Sequence, residues 1–320
     1  MSDSGTKKEA FSLGLLFLIA MVLHVLQSVA FGLVGQKGIN VPIEIILIFS
    51  EISILLPTLV YVLVKKLSFR EDLGFCRIRP GTFFMCILLT ALIMPIAAFF
   101  NVLSQLFVSN TMVQMSDELL GGSNAAVLFL GSIYGPLCEE FFCRAVFFRR
   151  YETIAGPLRA GLISAMLFAL AHMNVNQAVY AFVLGFIFAV VNKAAGSVYP
   201  SVIIHICING FNILLLMMAT SLSGALGEDT DIAAAAEAAR GSDYIYYLIG
   251  VTFVIGIICA LIAIPCIVFV AKHEDNIDDF SKMFTAKSPR NRWLSIPLVI
   301  GILFVLFMMF GLEPLLGLFS

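Results

Sequence analysis

Apolar residues run along this chain in long blocks, broken by short polar and mostly basic punctuation. A helix that crosses the ~30 Å hydrocarbon core of a bilayer needs about 20 such residues. Nine blocks have that character: residues 11–34, 43–64, 82–108, 125–148, 160–175, 177–192, 198–220, 244–271 and 294–318. The fifth and sixth are short, and read as tilted helices or helices that stop short of one leaflet. The pattern therefore predicts an all-α, polytopic transmembrane helix bundle of eight or nine spans. No internal repeat of the kind that marks transporter halves is visible. Residues 1–124 carry N-terminal transmembrane helices, residues 125–220 a core, and residues 221–320 an external loop and C-terminal transmembrane helices.

Composition sharpens this. Of 320 residues, 60% are hydrophobic and 12% charged, and the mean hydropathy is +1.01. Soluble domains are roughly half apolar and a quarter charged, so most of this chain cannot face water. A net charge of -2, with no basic patch interleaved with aromatics, excludes nucleic acid as a partner. The seven cysteines form no CxxC pair and are odd in number, which argues for packing residues rather than a disulfide framework or zinc knuckle. Ser28-Val29-Ala30 looks like a signal-peptidase site, but the apolar run continues to Val34. That exceeds a signal core of ~7–15 residues, so the segment reads as a first span.

The charges orient the spans. Lys7 and Lys8; Lys65, Lys66, Arg70, Arg77 and Arg79; Arg149, Arg150 and Arg159; Lys193; and Lys272, Lys282, Lys287, Arg290 and Arg292 all fall on one side if there are nine spans. By the positive-inside rule that side is the cytoplasm, with the N-terminus in it. The other side keeps Lys37, Arg240 and two acidic stretches, Asp117-Glu118 and Glu228 to Asp243. Ala233 to Arg240 has the propensity of a short external helix. The segment from Lys272 to Arg292 reads as a solvated cytoplasmic loop. The expected location is a prokaryotic cell membrane.

Ionisable residues inside spans are expensive and mark function by default. Three clusters stand out: Cys138-Glu139-Glu140-Phe141-Phe142-Cys143-Arg144, Phe168-Ala169-Leu170-Ala171-His172, and His205-Ile206-Cys207-Ile208-Asn209. Glu140 and Arg144 are four apart, so they meet on one helix face. Glu139 points ~100° away and can face a cavity. His205 and Asn209 also share a face, and both can donate hydrogen bonds to an oxyanion. The plain alternatives are a buried ion pair that locks one helix and interhelical hydrogen-bond glue. Depth favours a site. Glu140 lies ~14 Å from Arg149, His172 ~20 Å from Arg159, and His205 at most ~18 Å from Lys193 along their helices, a common layer. His24 and His273 fall outside this set and receive no role. Two carboxylates, two histidines and an amide suit the activation of water. Paired intramembrane aspartates, a rhomboid-like serine–histidine pair in a GxS context and HExxH are all missing.

At these residues the chain resembles the CPBP family of intramembrane proteases, also called the Abi or Rce1-like family, which includes the type II CAAX prenyl endopeptidases. The family pattern is EExxxR, FxxxH and HxxxN, met here by Glu139-Glu140 with Arg144, Phe168 with His172, and His205 with Asn209. The resemblance covers about residues 125–215 and makes 125–220 the catalytic core. It implies an intramembrane endopeptidase acting on membrane-associated or lipid-modified peptides and proteins. In that reading Glu139 with His172 activates water, His205 and Asn209 bind the oxyanion, and Glu140 with Arg144 holds charge and geometry. No cofactor is expected. A zinc ion, where one is bound, would use Glu139, His172 and His205, the ligand count of a catalytic site. Two other classes compete: a proton-coupled transporter using the Glu/His layer as a relay, and a non-catalytic membrane partner such as a bacteriocin-immunity factor.

Overall fold

The computed structural model describes residues 3–225, 232–286 and 293–312. Regular structure among them is helical throughout. The principal helices are α1 (Asp3–Gln36), α2 (Ile43–Lys65), α3 (Pro80–Ser104), α4 (Asn124–Ala155), α5 (Pro157–Ala171), α6 (Val175–Ala195), α7 (Tyr199–Ala225), α8 (Tyr244–His273), α9 (Ile277–Thr285) and α10 (Ile296–Phe307). Seven helices, α1 to α4 and α6 to α8, are long and apolar enough to cross a membrane among the described residues, and the region of α5 and that of α10 are shorter apolar helices. Among the described residues, each of the nine blocks of the sequence thus coincides with a helix. The sixth is corrected: α6 has 21 residues, ~31 Å at 1.5 Å per residue, enough for a full crossing. Asn174 caps its N-terminus by accepting from the Gln177 amide, and Lys193 belongs to its last turn. The last predicted span and the basic residues Lys287, Arg290 and Arg292 lie partly or wholly outside the described residues, as does Glu228.

α4 and α6 are the most enclosed spans. α4 contributes Phe142, Phe147, Phe148 and Tyr151, all fully buried, to a core shared with α1 and α5. α3 packs along α8, α5 along α6, and α1 against both α2 and α10. Outside the spans, the short helix Ile232–Arg240 forms where alanine propensity placed it.

Salt bridges tie helix ends together at one end of the bundle. Glu9 of α1 accepts from Tyr61 and Lys65 of α2 at 2.7 and 2.8 Å and from Arg150 of α4 at 2.7 Å. Arg150 also reaches Asp72 at 3.3 Å. Arg79, before α3, pairs with Asp275, after α8. Lys193 of α6 is buried between Glu152 of α4 and Asp279 of α9. Lys65, Arg79, Arg150 and Lys193, which the sequence assigns to one side of the membrane, are thus gathered at one end.

The segment after Lys272 corrects the expectation of a solvated loop. It folds into α9, whose Phe280 and Met283 are buried against α5 and α6. Asn276 anchors it by donating to the Lys193 carbonyl at 2.8 Å. Burial opposes the charge on Asp279, but Lys193 and Lys282 outweigh it and hold the carboxyl below its usual range. A carboxyl lowered by folding stabilises above its unfolded pKa and loses that contribution as pH falls through the folded value. Asp279→Asn is expected to cost about 1 kcal/mol or less, because the side chain is partly exposed. Thermal melts in detergent check this: the gap to wild type should be full near neutral pH and close in acid.

Candidate active site within the bundle

The helix that carries the two glutamates is not a regular α-helix. In α4, Leu130–Tyr134 and Phe141–Phe148 are π-helical, and the six residues Gly135–Glu140 between them are α-helical. Wide turns of this kind recur at functional sites. Their cost is backbone groups that the helix no longer satisfies, which a bilayer interior does not tolerate. In the first π-turn the Gly135 amide bonds the Leu130 carbonyl. The next donor in that register is residue 136, a proline, which has no N–H. The Gly131 carbonyl therefore needs an outside donor, and Asn209 Nδ2 of α7 supplies one at 3.2 Å. In the second π segment, Ser164 Oγ of α5 donates to the Cys143 carbonyl at 2.7 Å.

Between these two ties lies the ionic centre. Glu140 and Arg144 have fully buried side chains, with Glu140 Oε1 3.3 Å from Arg144 Nη1. The guanidinium is held between aromatic faces, 4.1 Å from the Phe168 ring centre and 5.1 Å from that of Phe188. Such stacking suits a guanidinium, which is weakly hydrated. Gly185 makes room for it: a Cβ there would lie 3.1 Å from Arg144 Nη2 and 2.9 Å from the Ala165 Cα.

His205 extends this pair, with Nδ1 2.9 Å from Glu140 Oε1. An ionised carboxylate only accepts, so Nδ1–H donates and Nε2 is left facing Glu139 Oε2 at 3.4 Å. His172 shows the same logic. It sits just past the end of α5, a helix of 15 residues, ~22 Å long and too short to cross. Its Nδ1 is 2.8 Å from the Phe168 carbonyl, which also only accepts. Its Nε2 therefore faces Glu139 Oε1, at 3.9 Å. Phe168 thus covers Arg144 with its ring and sets the His172 tautomer with its carbonyl. Glu139 is bracketed by two imidazole Nε2 atoms and hydrogen-bonded to neither. Its side chain is 21% exposed and that of His172 17%, against 0% for Glu140. The neighbouring glutamates are therefore divided, one anchored inside and one open to a reactant.

Glu139, Glu140, Arg144, His172 and His205 converge on one point. Asn209 is half-buried and stands toward the first π-turn, one N–H committed to Gly131 and one remaining. Among the described residues no group of three or more His, Cys, Asp or Glu side chains is arranged to hold a metal ion.

Two polar residues near this point received no role from the sequence: His24 was set aside and Glu51 went unremarked. His24 of α1 donates from Nδ1 to Ser53 Oγ of α2 at 3.1 Å, since the Ser53 hydroxyl proton goes to the Ser50 carbonyl. It is close enough to Glu139 and His172 to interact with both. Glu51 of α2 is a carboxylate in the middle of an apolar span. An acidic residue in such a run was itself a signal.

Removing Arg144 would leave Glu140 charged without its cation, held only by His205. Arg144→Met is expected to cost about 3–5 kcal/mol. The double variant Glu140→Gln/Arg144→Met should regain most of that stability without regaining function, because a neutral amide no longer holds His205 as an anion does. Melting curves of the single and double variants, beside a functional assay, check both halves.

Residues 121–211 match the family model described as type II CAAX prenyl endopeptidase Rce1-like. The matched segment runs from just before α4 into α7 and contains every residue of the convergent site. No match was found among curated proteins or among solved structures. Through this segment, on a bundle of membrane-length helices, the chain is similar to the Rce1-like family of type II CAAX prenyl endopeptidases.

Proposed function

We propose that this protein is an intramembrane endopeptidase that hydrolyses membrane-associated or lipid-modified peptides or proteins, with Glu139 activating water and no metal taking part. The observation that carries the reading is the division of labour around Glu139. Each histidine has its Nδ1 occupied elsewhere and turns Nε2 toward the one glutamate that is open to a reactant.

The chemistry follows from that placement. Glu139 takes a proton from water as the water oxygen bonds the scissile carbonyl carbon. The bracketing imidazoles hold the water and the carboxylate in line, which is the positioning part of general-base catalysis. The charge that builds on the carbonyl oxygen needs donors. The free N–H of Asn209 is one, and His205 Nε2–H is another in the enzyme form whose His205 enters the reaction as an imidazolium and leaves it as one. Glu140 supports that imidazolium from behind. Glu139 then passes its proton to the leaving nitrogen, the C–N bond breaks, and the products are a carboxylic acid and an amine. Glu139 ends as it began.

The gathered cations favour a cytoplasmic position for the basic end of the bundle and for the N-terminus. Substrate then reaches the site from the cytoplasmic side.

One kinetic series tests these roles. Glu139→Gln and His172→Ala should each lower turnover by ~10²–10⁴ while the protein still folds and inserts. Asn209→Ala should lower kcat by ~10²–10³ with little change in KM, beside a smaller stability loss from the orphaned Gly131 carbonyl. Turnover should survive removal of metal by chelation. Assays in vesicles of opposite orientation, read for peptide cleavage, check site and side together. Wild-type rates in the Glu139 variant, or substrate flux without cleavage, would refute the assignment.

A further inference from the structure

Glu51 is the strongest feature that the mechanism above does not use. It lies 14 residues before Lys65 on α2, ~21 Å along the helix. Gly135 lies 14 residues before Arg149 on α4, the same depth. The two meet: a Cβ built on Gly135 would be 3.5 Å from Glu51 Oε1 and 3.3 Å from the Leu130 carbonyl. The carboxyl therefore lies against this face of α4, at ordinary contact distance from where a Gly135 side chain would begin. Gly135 is one turn before Glu139 within the same α-helical stretch, so the Glu51 carboxyl is on the face of α4 that leads to Glu139. Glu51 and Glu139 are close enough for their charges to interact.

Nothing balances a charge at Glu51. Among the described residues it forms no ion pair, and its Oε2 is buried without a hydrogen-bond partner. From α4, the titratable groups that face it are Tyr134, Cys138 and Glu139, and none is a cation. From α1, His24 is turned onto Ser53 and Glu9 is committed at the basic end. Arg144 is spent on Glu140. A second anion on this face would be isolated in an apolar span and would repel Glu139. A neutral carboxyl has no such penalty and carries an O–H donor that an anion lacks.

We propose that Glu51 is a positioning residue of this site: a carboxyl that keeps its own proton and directs that O–H along the Gly135 face toward the Glu139 carboxylate. It exchanges no proton with substrate. It orients the base, whose carboxylate accepts a proton from water. The kinetic consequence rests on the hydrolytic reading above, whereas the protonation state of Glu51 does not.

The test therefore has two arms, both on the full-length protein in detergent. Infrared difference spectra of the wild type should show a protonated-carboxyl C=O band at neutral pH. Glu51→Gln should lose it, and Glu139→Gln should keep it but titrate it at lower pH, since the repelling charge is gone. In the second arm, Glu51→Gln, which keeps a donor, should retain kcat within about threefold. Glu51→Leu, of similar size without a donor, should lower kcat about tenfold at unchanged KM and unchanged melting temperature. A wild type without the band, or a band that survives Glu51→Gln, overturns the proposal whatever the protein's activity. So does a Glu51→Leu variant with wild-type kcat, or one whose lost activity tracks lost stability. If no variant nor the wild type cleaves any peptide while the band behaves as stated, the hydrolytic reading fails and the neutral carboxyl stands.

Discussion

The contact on which everything else hangs is the buried pair of Glu140 and Arg144. Two charges with no exposed surface survive inside a membrane bundle only if each finds further partners. Glu140 finds His205 on α7, and Arg144 finds the rings of Phe168 on α5 and Phe188 on α6. One ion pair therefore fixes four helices relative to one another. It also fixes what those helices carry: the His205 tautomer through Glu140, the approach of α6 through Gly185, and the placing of Phe168, whose carbonyl orients His172. Glu139 is the next residue along α4 and inherits its position from the pair without joining it.

The irregular backbone of α4 serves the same end. Two π-helical stretches widen the helix on either side of the six α-helical residues that end in the glutamates. The exposed carbonyls are taken up by side chains of neighbouring helices, Asn209 and Ser164. Asn209 thus has a structural reason to exist before any catalytic one: Pro136 leaves the Gly131 carbonyl without its donor. The shortness of α5 is equally purposeful. A full-length helix would carry His172 past the layer, whereas 15 residues end it beside Glu139, where Met173 turns the chain in a left-handed conformation at φ 51°.

The helical bundle was legible in the sequence because bilayer thickness is a length ruler, and runs of apolar residues are read directly against it. The Glu140–Arg144 contact was legible because four residues make one turn. The convergence of Glu139, His172 and His205 was legible as a common depth, measured from basic residues that mark one side. What the sequence hid is physically of another kind. α9 was mistaken for a solvated loop because its acidic and basic residues dominate its composition, while only Phe280 and Met283 reveal a buried face. The π-turns change the register of a helix without changing its apolar pattern. Glu51 was in plain view but belonged to no spaced motif, and its meaning depends on which face of another helix it meets.

The central claim is that the bracketed Glu139 turns water into a nucleophile for a peptide carbonyl without a metal. It is tested most directly by incubating chelator-treated protein, in vesicles, with a lipid-modified peptide in water carrying the heavy oxygen isotope, and weighing the fragments. The account predicts one heavy oxygen in the new carboxyl group and none in the fragment with the new amine. Peptide left intact under these conditions, with cleavage restored only by added zinc, would contradict it.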